Sequence, residues 1–551
     1  MHRIASALSW LTRASTLLVA VPILAAWLLL WLVIAMVVSF LIGGIVILAA
    51  SGDPPANAWW HIPLLTILAL MACLLAAQDW SMRTGVPLPW HPRAPGDSHG
   101  SARFATDAER RALQTGDGLL IGRDGRTGRL LRYDGPAHLL TLAPTRSGKG
   151  VGTVIPNLLL VPRSVLVIDP KGENARVTHK ARARFGPVHV LDPFGASGLP
   201  SAAYNPLGRL SPDSPDLGED AASLAEALVV DPPGQAGEAH WNEEAKALLA
   251  GLILFAVCHE DEDRRTLATV REYLTLPPDK FRALLTLMQD SDAAGGLVAR
   301  AANRHLGKSD REASGVLSSA QRHTHFLDSP RIVASTARSD FAFASLRHEV
   351  ASVFLVLPPN RLDAYSRWLR LLVSQALAEI ARDAEAAGAP GDAPRLPTPA
   401  LFLLDEFAAL GRLEAVERAM GLMAGYGLQL WPILQDMSQL RALYGPRAST
   451  FVANAGVLQA FGVGDHDTAR WLSQLMGQTT AAYETTSHRP GDSPSTSLHL
   501  TGRDLLTPDE VMRLPDHAQL LRVQGRPMIV ASKLRYFADP EFDGLHAPQA
   551  R

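Results

Sequence analysis

The chain has 551 residues, 47% of them apolar and 6% aromatic, and 52 Lys and Arg against 54 Asp and Glu leave a formal net charge of −2. That length accommodates a membrane anchor and two or three domains, and the near-neutral balance gives no global footprint for a nucleic acid, so any such contact has to be local. Only two cysteines occur, Cys73 and Cys258, with no C-x-x-C, which excludes a disulfide framework and the usual zinc spacings and places the soluble part in the cytoplasm.

From Thr16 to Ala50 the chain carries no charge. This run of roughly 35 residues exceeds the ~20 that cross a bilayer and is far longer than the apolar region of a signal peptide. It reads as one long tilted span, or as a span followed by a re-entrant or interfacial piece broken near Gly43 and Gly44. A second apolar run, 61–77, is just long enough to cross and is flanked by Trp59, Trp60 and Trp80, residues that favour membrane interfaces. His2, Arg3 and Arg13 precede the first run, Arg83 and Arg93 follow the second, and the loop between has no Lys or Arg. Both flanks are therefore expected in the cytoplasm, with residues 1–80 as a two-span anchor.

Next comes a local basic stretch, Arg123, Arg126, Arg129 and Arg132. It reads either as a contact for DNA or as a solvated loop and strand face, and no stacking aromatic accompanies it. Short apolar runs then recur at 138–143, 164–170, 188–193, 351–359, 400–406, 428–436 and 456–464. Several are followed by helix-like segments, which argues an α/β fold with a largely parallel sheet covered on both faces. Between about 210 and 330 the periodicity is helical throughout, an all-helical insertion between strands of one sheet. The tracts 386–399 and 486–496, rich in Pro, Gly and polar residues, read as loops. The last apolar pair, 519–533, turns at Gly525-Arg526-Pro527 and reads as a hairpin at a sheet edge.

The run HLLTLAPTRSGKGVGTVIPN, from His138, nearly spells a phosphate-binding loop. Against G-x-x-x-x-G-K-[ST] it has Ala143 for the first glycine and Gly150 for the Ser/Thr that touches Mg²⁺. The context is right: an apolar strand leads in, Gly148 and Gly150 free the backbone, Lys149 brings charge for the β- and γ-phosphates, and a helix starts behind, limited or kinked by Pro156. Pro144, Thr145, Arg146, Ser147, Gly148, Lys149, Gly150 and Val151 are the candidate phosphate cradle. A second piece, ALFLLDE, is an apolar strand ending in Asp405, placed to hold a metal, and Glu406, placed to activate water. Gln435, ending the next strand, sits where a γ-phosphate sensor would. Together these predict binding of ATP with Mg²⁺, a water filling the metal position that Gly150 leaves open. The long stretch from Lys149 to Asp405 fits a compact core only if the helical block is inserted.

Taken in order, GSARFA (100–105), APTRSGKGVG (143–152), IDPKGEN (168–174), YNPL (204–207), HWNEEAKALLAGLI (240–253), LDEFAALG (404–411), LQDMSQLRALYG (434–445), NAGV (454–457) and GRDLLTPDEVMRLP (502–515) resemble the TraG/TraD-type coupling proteins of bacterial type IV secretion systems. The resemblance covers about 98–540. It implies a RecA-like P-loop NTPase domain in two parts, 81–209 and 331–551, an all-alpha domain at 210–330 implicated in substrate recognition, and an inner-membrane ATPase that works as a hexamer with nucleotide between subunits. Its implied substrates are relaxase-bound single-stranded DNA, effector proteins or both, delivered to the inner-membrane components of the secretion channel. By motif position Lys149 binds phosphates, Asp405 the metal, Glu406 activates water and Gln435 senses the γ-phosphate. Where some members place an arginine finger this chain has Ala424, leaving Arg412 or Arg418 as substitutes. Lys171 and Glu173 of IDPKGEN are expected to meet nucleotide or a neighbouring subunit, or to form a capped turn. A competing reading is a docking receptor that holds nucleotide without hydrolysing it.

Overall fold

The computed structural model describes residues 97–230, 238–388, 394–487 and 495–547. The apolar runs at 16–50 and 61–77 lie outside them, and among the described residues no helix is long and apolar enough to cross a membrane. One unit comprises His99–Ala481 with Thr501–Arg551. Strands β1 (Leu119–Arg123), β2 (Leu130–Tyr133), β3 (His138–Leu142), β4 (Val165–Asp169), β5 (Val188–Leu191), β6 (Ser352–Val356), β7 (Ala400–Leu404), β8 (Leu428–Leu434) and β9 (Ala455–Ala460) come first, and all seven apolar runs named above are among them. β10 (Gln478–Ser487) and β11 (Ser495–Asp504) form a separate two-stranded sheet, entering the stretch expected as loop at 486–496, and β12 (Ala518–Val523) and β13 (Ile529–Ser532) follow. In the second unit, Tyr483 stacks on His499 with centroids 5.3 Å apart.

The main sheet has the order β2-β1-β13-β12-β9-β3-β8-β7-β4-β6-β5. From β9 to β5 every neighbouring pair is parallel; the four strands on the other side pair antiparallel. The sheet is therefore mixed. Side chains alternate between two cores as the pleat requires: in β7, Ala400, Phe402 and Leu404 face one, Leu401 and Leu403 the other. Because helices cover both faces, these strands are mainly apolar on both sides of the pleat, with buried polar exceptions such as His138, Thr141, Gln429 and Gln459, the pattern of a buried parallel sheet.

The β12–β13 hairpin is not at an edge. β1 pairs with β13 and β2 with β1, so β2 is the edge strand. Buried Gln519 ties this junction, donating to the carbonyls of Ile121 (3.0 Å) and Ser532 (3.1 Å).

Between Leu191 and Ser352 the described residues contain no strand. The helices Leu217–Leu228, Ala239–His259, Leu267–Leu274, Pro278–Gln289, Ala293–Leu306, Asp310–Thr324 and Pro330–Ser335 follow one another there. Leu249, Leu252, Ile253 and Ala256 of the long central helix belong to the same core as one face of the sheet. The opposite face is covered by Ile155–Leu160 and Glu173–Arg182. Arg182 is fully buried there and donates to the carbonyls of Val161 (2.8 Å) and Arg163 (2.6 Å), tying down the chain that follows the preceding helix.

Candidate functional site

β3 delivers the chain to the loop from the middle of the sheet. Ala143 is buried and donates to the Leu434 carbonyl at 2.8 Å, extending the ladder. Its φ is not positive, so nothing in the backbone demands the glycine of the common pattern. The turn comes afterwards, at Arg146 (φ 67°) and Gly148 (φ 93°), where Ser147 N–H and Oγ both donate to the Pro144 carbonyl (3.2 and 2.6 Å). Thr145 and Arg146 are exposed, and Lys149, Gly150 and Val151 are partly covered.

Behind the loop the helix begins as a wider π turn, Gly150–Val154, and becomes α at Ile155. Pro156 supplies the cause. It has no N–H and in an α-helix its ring would press on the carbonyl four residues back, a conflict the wider turn avoids.

The expected residues converge. Lys149 Nζ is 2.6 Å from Glu406 Oε1 and 3.1 Å from Asp405 Oδ1, and Gln435 Nε2 donates to the other Glu406 oxygen at 3.4 Å. Glu406 holds a left-handed backbone (φ 50°, ψ 44°), unusual away from glycine, as β7 turns into the short helix Phe407–Leu410. Burial pushes the Asp405 carboxyl above the usual range despite the Lys149 charge. Burial alone would lower the Lys149 pKa, but Asp405 and Glu406 reverse it, so the ammonium stays charged. Among the described residues no cluster of three His, Cys, Asp or Glu forms a metal cage.

The IDPKGEN segment is a turn between β4 and the helix Glu173–Arg182. Gly172 is left-handed (φ 63°), and a Cβ there would stand 2.6 Å from Ser197 Cα, so both conformation and space require glycine. Lys171 is exposed and Glu173 lies in the first turn of the helix. Asp169, buried at the strand end, accepts from Ala175 N–H (2.9 Å), and burial raises its pKa to about 6. Asn174 was not singled out by sequence, yet its Oδ1 stands 4.0 Å from where a Cβ at position 150 would be.

Lys533, just after β13, is a second residue that sequence missed. Its Nζ donates to the Ser147 carbonyl at 2.7 Å and lies 5.1 Å from the centre of the Phe461 ring. No motif signals it, because only the return of β13 brings it to the loop.

Arg412 and Arg418 both pair with Glu414, at 3.3 and 3.8 Å, and Arg418 is 67% exposed. Ala424 lies in the turn Met423–Tyr426. Of the basic stretch, Arg123 pairs with Glu541 (2.8 Å) and Asp539 (3.0 Å), Arg126 with Asp107 (2.9 Å), and Arg132 donates to the Gly118 carbonyl, while Arg129 is exposed and has no carboxylate partner among the described residues. Two of the four arginines are thus held in ion pairs within the fold.

A glycine-bearing loop between a central parallel strand and a helix, its lysine facing acidic residues at the end of another strand, defines a P-loop NTPase. Residues 103–550 match the family described as Type IV secretory system Conjugative DNA transfer. The chain belongs to that family. It is 32% identical over 503 residues to a conjugal transfer protein TraG of Escherichia coli, covering 82% of this chain and 78% of that protein. Protein VirD4 of Agrobacterium fabrum is 28% identical over 464 residues, 80% of this chain and 66% of that one. In fold it resembles the bacterial conjugative coupling protein TrwB, with a TM-score of 0.59 at 18% identity over 78% of this chain and 92% of that chain. TrwB is also known in complex with the ATP analogue ADPNP, and with ADP and Mg²⁺.

Proposed function

We propose that this chain is an inner-membrane ATPase that recruits substrate, relaxase-bound single-stranded DNA or effector proteins, to a type IV secretion channel and powers its transfer. Residues 1–80 would anchor it, 81–209 and 331–551 bind nucleotide between the subunits of a homohexamer, and 210–330 recognise substrate. The observation that carries the ATPase reading is the meeting of Lys149, Asp405, Glu406 and Gln435 within hydrogen-bond range, from three strand ends, in a member of this family.

On this reading the backbone N–H groups from Thr145 to Val151, apart from that of Ser147, which is bonded to the Pro144 carbonyl, receive the phosphates, and Lys149 exchanges its two carboxylate partners for β- and γ-oxygens. That exchange frees Asp405 to hold a metal and Glu406 to take a proton from the attacking water, which Gln435 orients. The donors fit Mg²⁺: Asp405 offers a carboxylate, Asn174 a carboxamide oxygen beside Gly150, and water suits the other positions. When bound, Mg²⁺ supplies neutralising charge to the β- and γ-oxygens. Arg418, the more exposed of the two arginines, is the better placed to reach a neighbour's nucleotide.

ATP turnover by the detergent-purified full chain tests this. Lys149→Ala should lose nucleotide binding and turnover, whereas Glu406→Gln should keep binding and lose turnover about 100-fold or more. Nucleotide bound without turnover that depends on Lys149, with lipid and DNA supplied, would leave the docking receptor instead.

A further inference from the structure

At the β5 edge of the sheet, the chain leaves β5 and β6 into an open cleft of about 570 Å³. Phe194 enters it after β5, Asn360, Arg361 and Tyr365 after β6, and Arg331 from the helix Pro330–Ser335.

The lining carries two kinds of chemistry. Phe194 and Tyr365 are partly exposed rings with centroids 5.1 Å apart and planes tilted by 57°, and the Arg361 guanidinium lies 5.6 Å from the Phe194 ring. Arg331 and Arg361 are exposed and make no ion pair among the described residues; Arg331 has only a 3.5 Å bond to the Pro193 carbonyl. Among the described residues no carboxylate lines the cleft. Asp328, the acid nearest to Arg331 in sequence, is held by Arg271 at 2.7 Å.

Unneutralised guanidinium groups beside aromatic faces suit a ligand that is both anionic and planar. Repeated along a strand, that is the chemistry of an unpaired polynucleotide, with phosphates on the arginines and bases on the rings. We propose that this cleft is a contact site for single-stranded nucleic acid, with Arg331 and Arg361 on the phosphate backbone and Phe194 and Tyr365 stacking bases. The inference rests on the reading of the chain as a DNA-handling member of its family. The site has no sequence signature because its residues come from three separate segments.

The test is fluorescence anisotropy of a labelled oligothymidylate of about 20 nucleotides with the detergent-purified full chain over a salt series. Melting and DNA-independent ATP turnover are followed in parallel. Arg331→Ala with Arg361→Ala should weaken binding and lower the slope of log affinity against log salt by about 1.4, the expectation for two lost phosphate contacts on a single strand. Tyr365→Leu, which keeps apolar filling, should weaken binding about tenfold and leave the slope unchanged. Unaltered affinity and slope in variants that melt like the parent would overturn the site. So would a parent that binds no oligothymidylate, or variants that lose binding of polyglutamate but not of DNA. In each of these cases ATP turnover dependent on Lys149 would survive. Conversely, cleft-dependent DNA binding without turnover would sink the motor and keep the site.

Discussion

At the scale of single residues, the departures from the common phosphate-loop pattern have separate causes. Ala143 needs no glycine because the left-handed turn lies further on, at Arg146 and Gly148. Gly150 is not enforced by crowding, since a Cβ there would meet only Asn174 Oδ1, at 4.0 Å. A hydroxyl at 150 and the Asn174 amide would thus share one neighbourhood. Asn174→Ala is expected to reduce the gain in nucleotide affinity that Mg²⁺ provides, and Gly150→Ser in that background to restore it; titrating fluorescent ADP with and without Mg²⁺ reads both. Lys533 acts through the peptide plane. In a trans peptide the carbonyl and the next N–H point opposite ways, so a cation holding the Ser147 carbonyl aims the Gly148 N–H away from itself, into the cradle. Lys533→Met should weaken nucleotide binding about tenfold, as loss of a charged hydrogen bond predicts. Little change in kcat and substantial rescue by Lys533→Arg are expected in the same titration and turnover assays.

At the scale of elements, β3 is held in place by the residue that opens it. His138 is buried, accepts the Leu430 N–H on Nδ1 at 3.0 Å and lies with Nε2 3.1 Å from the Ala419 carbonyl, which requires the neutral ring protonated at Nε2. Burial lowers its pKa to about 4 from an ordinary value of 6.5. Because the folded pKa is below the unfolded one, the unfolded chain takes up the proton first, and stability present at pH 7 is lost as pH falls through 6.5 toward 4. Acidification from pH 7 to 5 should cost about 2 kcal/mol through this group. His138→Asn should flatten that part of the dependence in urea unfolding followed against pH. The strands themselves were legible in the sequence because both faces are buried, and a mainly apolar run is what burial on two sides favours. β1 and β2 were read only as a basic stretch, since Arg123 and Arg132 drew notice while Leu119, Leu120, Ile121 and Leu131, all buried, did not.

At the scale of the whole molecule, the proposed nucleotide site joins strand ends from distant parts of the chain. A ligand that binds only the assembled site stabilises the folded state by mass action, about 2.7 kcal/mol at a hundredfold excess over Kd. A non-hydrolysable ATP analogue with Mg²⁺ should therefore raise the melting temperature of the parent protein and leave that of Lys149→Ala unmoved. The helical block does not interrupt the sheet, because its helices share one continuous core with the face that β4, β6 and β7 present.

The sequence by itself determined the α/β class, the seven strands of the parallel part of the sheet and the candidate residues for a phosphate loop and an acidic strand end. Each of these depends on local chemistry: strand apolarity, glycine freedom, and a charge placed where a strand stops. Only the tertiary structure decided that the β12–β13 hairpin is interior, that Lys533 reaches the loop, that Asn174 faces Gly150, and that Phe194, Arg331, Arg361 and Tyr365 share a cleft. Those depend on which strand ends become neighbours, and strand order is set by packing across the sheet rather than by any short stretch of chain.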